Sequence, residues 1–172
     1  MDKMKVRVIH LVVLVVFGAM LFCLPNSTLA EETSRLSTGV TVPIIQSMDL
    51  SPSSFVFPDV MSAHLDEGFI EARDAATVTI SSNVPWQLTV QSEDPDMGKV
   101  EDYIKPLSDF LCKKSGDTHY TAISIEGHRV DSSAGYADHQ KIDLDYKMLV
   151  GWTRDKPGTY GLTLRFTLST LE

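Results

Sequence analysis

Two neighbouring stretches decide the fold: Lys141-Ile142-Asp143-Leu144-Asp145-Tyr146-Lys147-Met148 and Tyr160-Gly161-Leu162-Thr163-Leu164-Arg165-Phe166-Thr167-Leu168. In the first, Ile142, Leu144, Tyr146 and Met148 alternate with charged residues. In the second, Tyr160, Leu162, Leu164, Phe166 and Leu168 alternate with small or polar ones. Period two puts successive side chains on opposite faces of a strand, so each strand has one apolar and one wet face. Arg154-Asp155-Lys156-Pro157-Gly158 between them has the chemistry of a strong turn.

Working outward, the same pattern recurs in short pieces. Trp86, Leu88 and Val90 point one way, with Gln87, Thr89 and Gln91 opposite. Val78 and Ile80 alternate with threonines, and a short run follows the Asp66-Glu67-Gly68 turn through Ile70. Val40, Val42 and Ile44 open a run that continues through Met48 and Leu50, with Pro43 marking an edge or a strand start. Phe55 to Pro58, the neighbourhood of Asp109 to Lys113, and Ile123 with Ile125 read as further strands. Between Glu93 and Gly116, Pro106 interrupts a helical spacing, which leaves a loop with one helical turn. His128 to Gln140 reads as a loop. Eight or nine short strands with one wet face each, and no long helix, predict an all-β antiparallel sandwich, with a small β-barrel as the alternative.

The chain has 172 residues and an ordinary composition, 43% hydrophobic and 22% charged, which excludes collagen, coiled coil and wholesale disorder. Residues 1–30 read as an export signal: Lys3, Lys5 and Arg7, then the uncharged Leu11–Leu24, then Thr28-Leu29-Ala30 with small residues before Glu31. Bulky Phe22 before Cys23 argues against a lipoprotein. The expected organisation is a signal peptide (1–30), a flexible leader (31–38) and one sandwich domain (39–172), secreted or placed in the periplasm or at the cell surface. The net charge of −8 becomes −10 once Lys3, Lys5, Arg7 and Asp2 are set aside. An acidic surface repels phosphate backbones, so neither nucleic acid nor an anionic membrane is an expected partner. Cys112 is the one cysteine after Ala30 and leaves no internal disulfide.

Pro157-Gly158-Thr159-Tyr160-Gly161-Leu162-Thr163-Leu164 resembles the penultimate strand of immunoglobulin-like domains, where an acidic residue and a Gly-Thr-Tyr run form a tyrosine corner. Asp155, Gly158 and Tyr160 occupy the similar places, with Asp155 one residue further away; Leu162 stands where an antibody domain has cysteine. Asn83-Val84-Pro85-Trp86-Gln87-Leu88 is similar to the corresponding strand of secreted bacterial modules of the spore-coat-U and fimbrial-subunit kind. The resemblance spans about residues 39–170 and implies an immunoglobulin-like sandwich that works as a surface, coat or fimbria-like subunit. Many such subunits carry a disulfide that this chain lacks.

Chemistry-bearing patterns are sparse. Asp94, Asp96, Glu101 and Asp102, with Gly98 to bend the loop, are the candidate calcium ligands, since calcium takes several carboxylate oxygens from one turn. Pro95 stiffens that loop, and a solvated acidic loop is the competing reading. His64, His119, His128 and His139 have no metal-ligand spacing. No nucleophile elbow or phosphate loop is present, and no catalytic residue or cofactor is expected. Trp152, beside the 154–158 turn, is a candidate sugar contact, whereas Trp86 shares the alternation of a core strand. Val40, Val42 and Ile44 are candidate strand-exchange residues, because a strand near a polar leader can pair at home or on a neighbour's sheet edge. These readings predict a non-catalytic structural or adhesive subunit whose partners are other protein subunits or cell-surface components; the alternative is a calcium- or carbohydrate-binding module.

Overall fold

The computed structural model describes residues 33–171. The expected signal peptide and its cleavage site lie outside the described residues. Residues 33–41 are exposed and have no regular secondary structure. The unit from Val42 onward holds ten strands: β1 (Gln46–Ser51), β2 (Phe69–Ser82), β3 (Trp86–Ser92), β4 (Lys99–Val100), β5 (Tyr103–Ile104), β6 (Phe110–Lys114), β7 (Thr121–Ala122), β8 (His128–Ser133), β9 (Ala137–Leu149) and β10 (Leu164–Thr170). A short helix, α1 (Ser62–Glu67), precedes β2, and a 3₁₀ turn (Leu107–Asp109) precedes β6.

The strands form two sheets, β1-β2-β9-β6-β7 and β10-β3-β8, plus the β4–β5 hairpin, and every pairing is antiparallel. Both sheets have free ends, so this is a sandwich and not a closed barrel. Alternation places Val78 and Ile80 of β2, Ile142, Leu144 and Tyr146 of β9, and Cys112 of β6 in the core with Trp86, Leu88 and Val90 of β3. Burying one such aliphatic side chain is worth about 1.5–3 kcal/mol.

Several elements differ from the sequence expectation. The run expected from Gly39 becomes a strand only at Gln46. Phe55 to Pro58 forms no strand. It is a crossing segment whose rings pack edge-on, Phe55 on Tyr146 at 5.6 Å and Phe57 on Phe110 at 6.2 Å. The two short runs expected around Ile70 and Val78 are one strand, β2. Arg73, Asp74 and Ala75 bulge out opposite the single residue Asp145, which hides the continuity. Asp74 takes a positive φ of 49° there, and its N–H donates to Asp145 Oδ1 at 2.9 Å. His128 to Ser133 is a strand and not a loop, and β9 begins at Ala137. The strand expected at Ile123 and Ile125 shrinks to Thr121–Ala122, leaving Ile123 buried and Ile125 exposed. Tyr160 to Thr163 stays outside β10, because the Gly161 N–H donates to Met97 O and the Thr163 N–H to Asp94 Oδ2.

Candidate functional site

β1 ends the larger sheet and β10 ends the smaller one, and the two approach each other on the same side of the sandwich. They are not hydrogen-bonded to one another. Each has a strand neighbour on one flank only, so among the described residues the outer flank of each has no strand partner. The core is incompletely covered between them. Met48 lies opposite Ile80 in the register, yet Ile80 is 0% exposed and Met48 37%. Phe166 and Leu168 lie opposite Val90 and Leu88, which are buried, and are themselves only half-buried, as are Leu50 and Leu164. The result is a set of half-buried apolar side chains beside two open strand edges.

The segment before β1 is apolar and uncovered: Val40, Val42 and Ile44 are 89%, 70% and 65% exposed, and Leu36 is exposed as well. None of the three candidate strand-exchange residues lies in β1. The chain from Pro43 to Ile45 is held by Asn83. Its Oδ1 accepts from the Ile45 N–H at 2.8 Å, its Nδ2 donates to Pro43 O at 2.8 Å, and its own N–H donates to Ile45 O. One side chain thus satisfies the backbone just before β1 and fixes where the strand begins.

At the opposite end of β10 the tyrosine corner is formed: the Tyr160 hydroxyl donates to Lys156 O at 2.8 Å, and the ring packs edge-on against Tyr103 at 6.0 Å. Gly158 is required by close approach, since a Cβ there would meet Val100 at 2.6 Å. Behind the corner lies a buried ionic cluster that the sequence did not signal. Lys105 Nζ donates to Asp155 Oδ1 at 2.6 Å, to Leu149 O at 2.8 Å and to Asp109 Oδ2 at 3.1 Å. Tyr103 OH also donates to Asp155 Oδ1, and the Gly151 N–H to its Oδ2. Burial opposes the charge on Asp155, but Lys105 and the Gly151 and Tyr103 donors outweigh it and hold the carboxyl below the usual aspartate range. Burial, reinforced by the Asp155 acceptor, pushes the Tyr103 phenol up to about 12.

The remaining candidates are scattered. Asp94 and Asp96 line a shallow cleft of about 380 Å³ with Gly98 and Leu162. Their carboxylates cap backbone amides, Asp94 at Thr163 and Asp96 at Gly98, while Glu101 faces Lys156 and Asp102 is exposed. Among the described residues no three His, Cys, Asp or Glu side chains gather as a metal-ligand set. Trp86 is fully buried, and Trp152 is 61% exposed with its indole N–H donating to Asp66 Oδ1. Cys112 is a buried free thiol, pushed up to about 12 by burial and by Asp145. His119 and His139 are exposed, His64 Nδ1 accepts from the Met61 N–H, and burial lowers the pKa of His128.

No family model and no curated protein matches the chain. Among solved structures it is similar to a chain from a chaperone-usher pilus, 9% identical, over 84% of this chain and 99% of that one, with a TM-score of 0.45. A likeness that loose carries no argument about how this chain works.

Proposed function

We propose that this protein is an exported, non-catalytic structural or adhesive subunit that assembles by strand addition at the open edge between β1 and β10. The observation that carries this reading is a pair of open strand edges with half-buried apolar side chains, in a chain that also has an uncovered apolar segment. Exposed apolar surface of this kind is normally withdrawn from water by a partner. A strand edge supplies unpaired backbone groups, and the apolar residues beneath it supply register. Residues 36–44, extended, span about 30 Å at roughly 3.3 Å per residue, enough to run the length of β10. Val40, Val42 and Ile44 recur at the period of a strand laid with one face on the core. The partner is therefore another subunit of this architecture, with Val40, Val42 and Ile44 as its inserted side chains.

The test is the oligomeric state of the full chain by light scattering, against a variant with Val40, Val42 and Ile44 all changed to Asp. The wild type forms concentration-dependent oligomers, and the triple variant stays monomeric with unchanged circular dichroism. A triple variant that associates as the wild type does would sink the reading, as would a monomeric wild type that ignores a peptide of residues 36–45.

A further inference from the structure

Behind the tyrosine corner, Lys105, Asp109 and Asp155 hold three charges together out of water. The side chains of Lys105, Asp109 and Asp155 are 2%, 5% and 12% exposed. Burying three charges costs more than their attraction commonly returns, and well-packed apolar residues would often do as well. We propose that Lys105 and Asp155 condense into an intramolecular amide, with Asp109 carrying the protons.

The geometry supplies each part. Lys105 Nζ is held 2.6 Å from Asp155 Oδ1, an oxygen bonded to the carbon it would attack; such fixed proximity replaces a bimolecular encounter. Asp109 Oδ2, at 3.1 Å from the same nitrogen, is placed to take a proton from it. Arg154 Nη1, 3.4 Å from Asp109 Oδ1, and Nε, 3.8 Å from Asp155 Oδ2, orient both carboxylates. Leu149 O accepts from Nζ as well and anchors the amine. The Gly151 N–H, 2.7 Å from Asp155 Oδ2, stabilises charge on that oxygen when the carbon becomes tetrahedral.

The step balances within the cluster. The ammonium passes one proton through Asp109 to Oδ1 of Asp155, and its freed lone pair forms the N–C bond at Cγ of the now neutral carboxyl. Charge moves onto Oδ2, facing the Gly151 N–H. A second nitrogen proton follows through Asp109, so that Oδ1 receives both and leaves as water while the carbonyl to Oδ2 re-forms. Asp109 ends ionised as it began. Nothing is oxidised or reduced, and one buried ammonium and one buried carboxylate become a neutral amide. The bond would tie the segment before β6 to the turn before β10, across 50 residues of chain.

Intact-mass measurement of the purified full chain decides it. The folded protein is expected to be lighter than its residues require by one water, also after denaturation, and peptide mapping should return one branched peptide joining Lys105 to Asp155. Lys105→Arg and Asp155→Ala should restore the full mass. Asp109→Asn, which keeps both reacting groups, should leave them unjoined. A wild-type mass equal to the full residue sum overturns the proposal whether or not the variants fold. A water-loss species mapped to any other pair overturns the assignment.

Discussion

Phe166 shows how one side chain measures the openness of the edge. Its alternation marks it as inward, and it lies opposite buried Val90, yet it is only half-buried because, among the described residues, no strand lies on the far flank of β10. A fully buried phenylalanine costs about 3–5 kcal/mol when cut to alanine. Phe166→Ala in the isolated monomer should cost less, roughly 1.5–3 kcal/mol, because part of its surface is already in water. Leu88→Ala, at a fully buried position, should cost about 2–5 kcal/mol with the cavity it leaves. Tyr160→Phe should cost about 1 kcal/mol, the net worth of the hydroxyl bond to Lys156 O. Urea melts of the three variants at a monomeric concentration check this order; Phe166→Ala costing as much as a closed-core truncation would mean that the edge is covered.

At the scale of elements, acid stability reports the polar joints of the sandwich. Asp145 accepts from the Asp74 N–H and the Ser115 hydroxyl across the β2 bulge. Burial opposes the charge on Asp145, but the Ser115, Asp74 and Lys113 donors win and hold its carboxyl below the ordinary aspartate value of 3.8. A carboxyl whose folded pKa is depressed adds stability above its unfolded value and loses it as pH falls through the folded one. Urea midpoints should therefore be flat from neutral pH to about pH 4 and fall below that, and Asp145→Asn should lower the midpoint at pH 7 while flattening the acid fall. An Asn variant with the wild-type acid slope would show that Asp145 is not one of the groups responsible.

The same elements show what was legible in the residues. The centres of β3 and β9 read correctly because their apolar faces are buried along most of their length and strict alternation follows. β2 read as two pieces because the bulge at Arg73 to Ala75 places three residues against one and breaks the period. β8 looked like a loop because it is a partly exposed edge, held by backbone pairing to β3, and asks little of its side chains. The start of β1 depends on Asn83, 38 residues away in sequence from Ile45, and no local pattern encodes such a bond. Lys105, Asp109 and Asp155 carry no mutual spacing either, since folding alone brings them together.

On the scale of the whole molecule, two facts have to be explained together. The sandwich leaves apolar side chains of β1 and β10 half-buried at open edges, and the chain carries Val40, Val42 and Ile44 in water before β1. Alternation exposed the second in the residues, whereas the first needed the sheet order. Strand addition from a neighbouring subunit removes both apolar surfaces from water in one event. The most direct measurement is hydrogen exchange on the full-length Val40, Val42 and Ile44 triple-Asp variant, with and without excess peptide of residues 36–45. The account predicts new amide protection in β10 and along the outer flank of β1, absent when the peptide's Val42 and Ile44 are also Asp. Unchanged exchange in both strands at saturating peptide, or protection confined to another face, would contradict it.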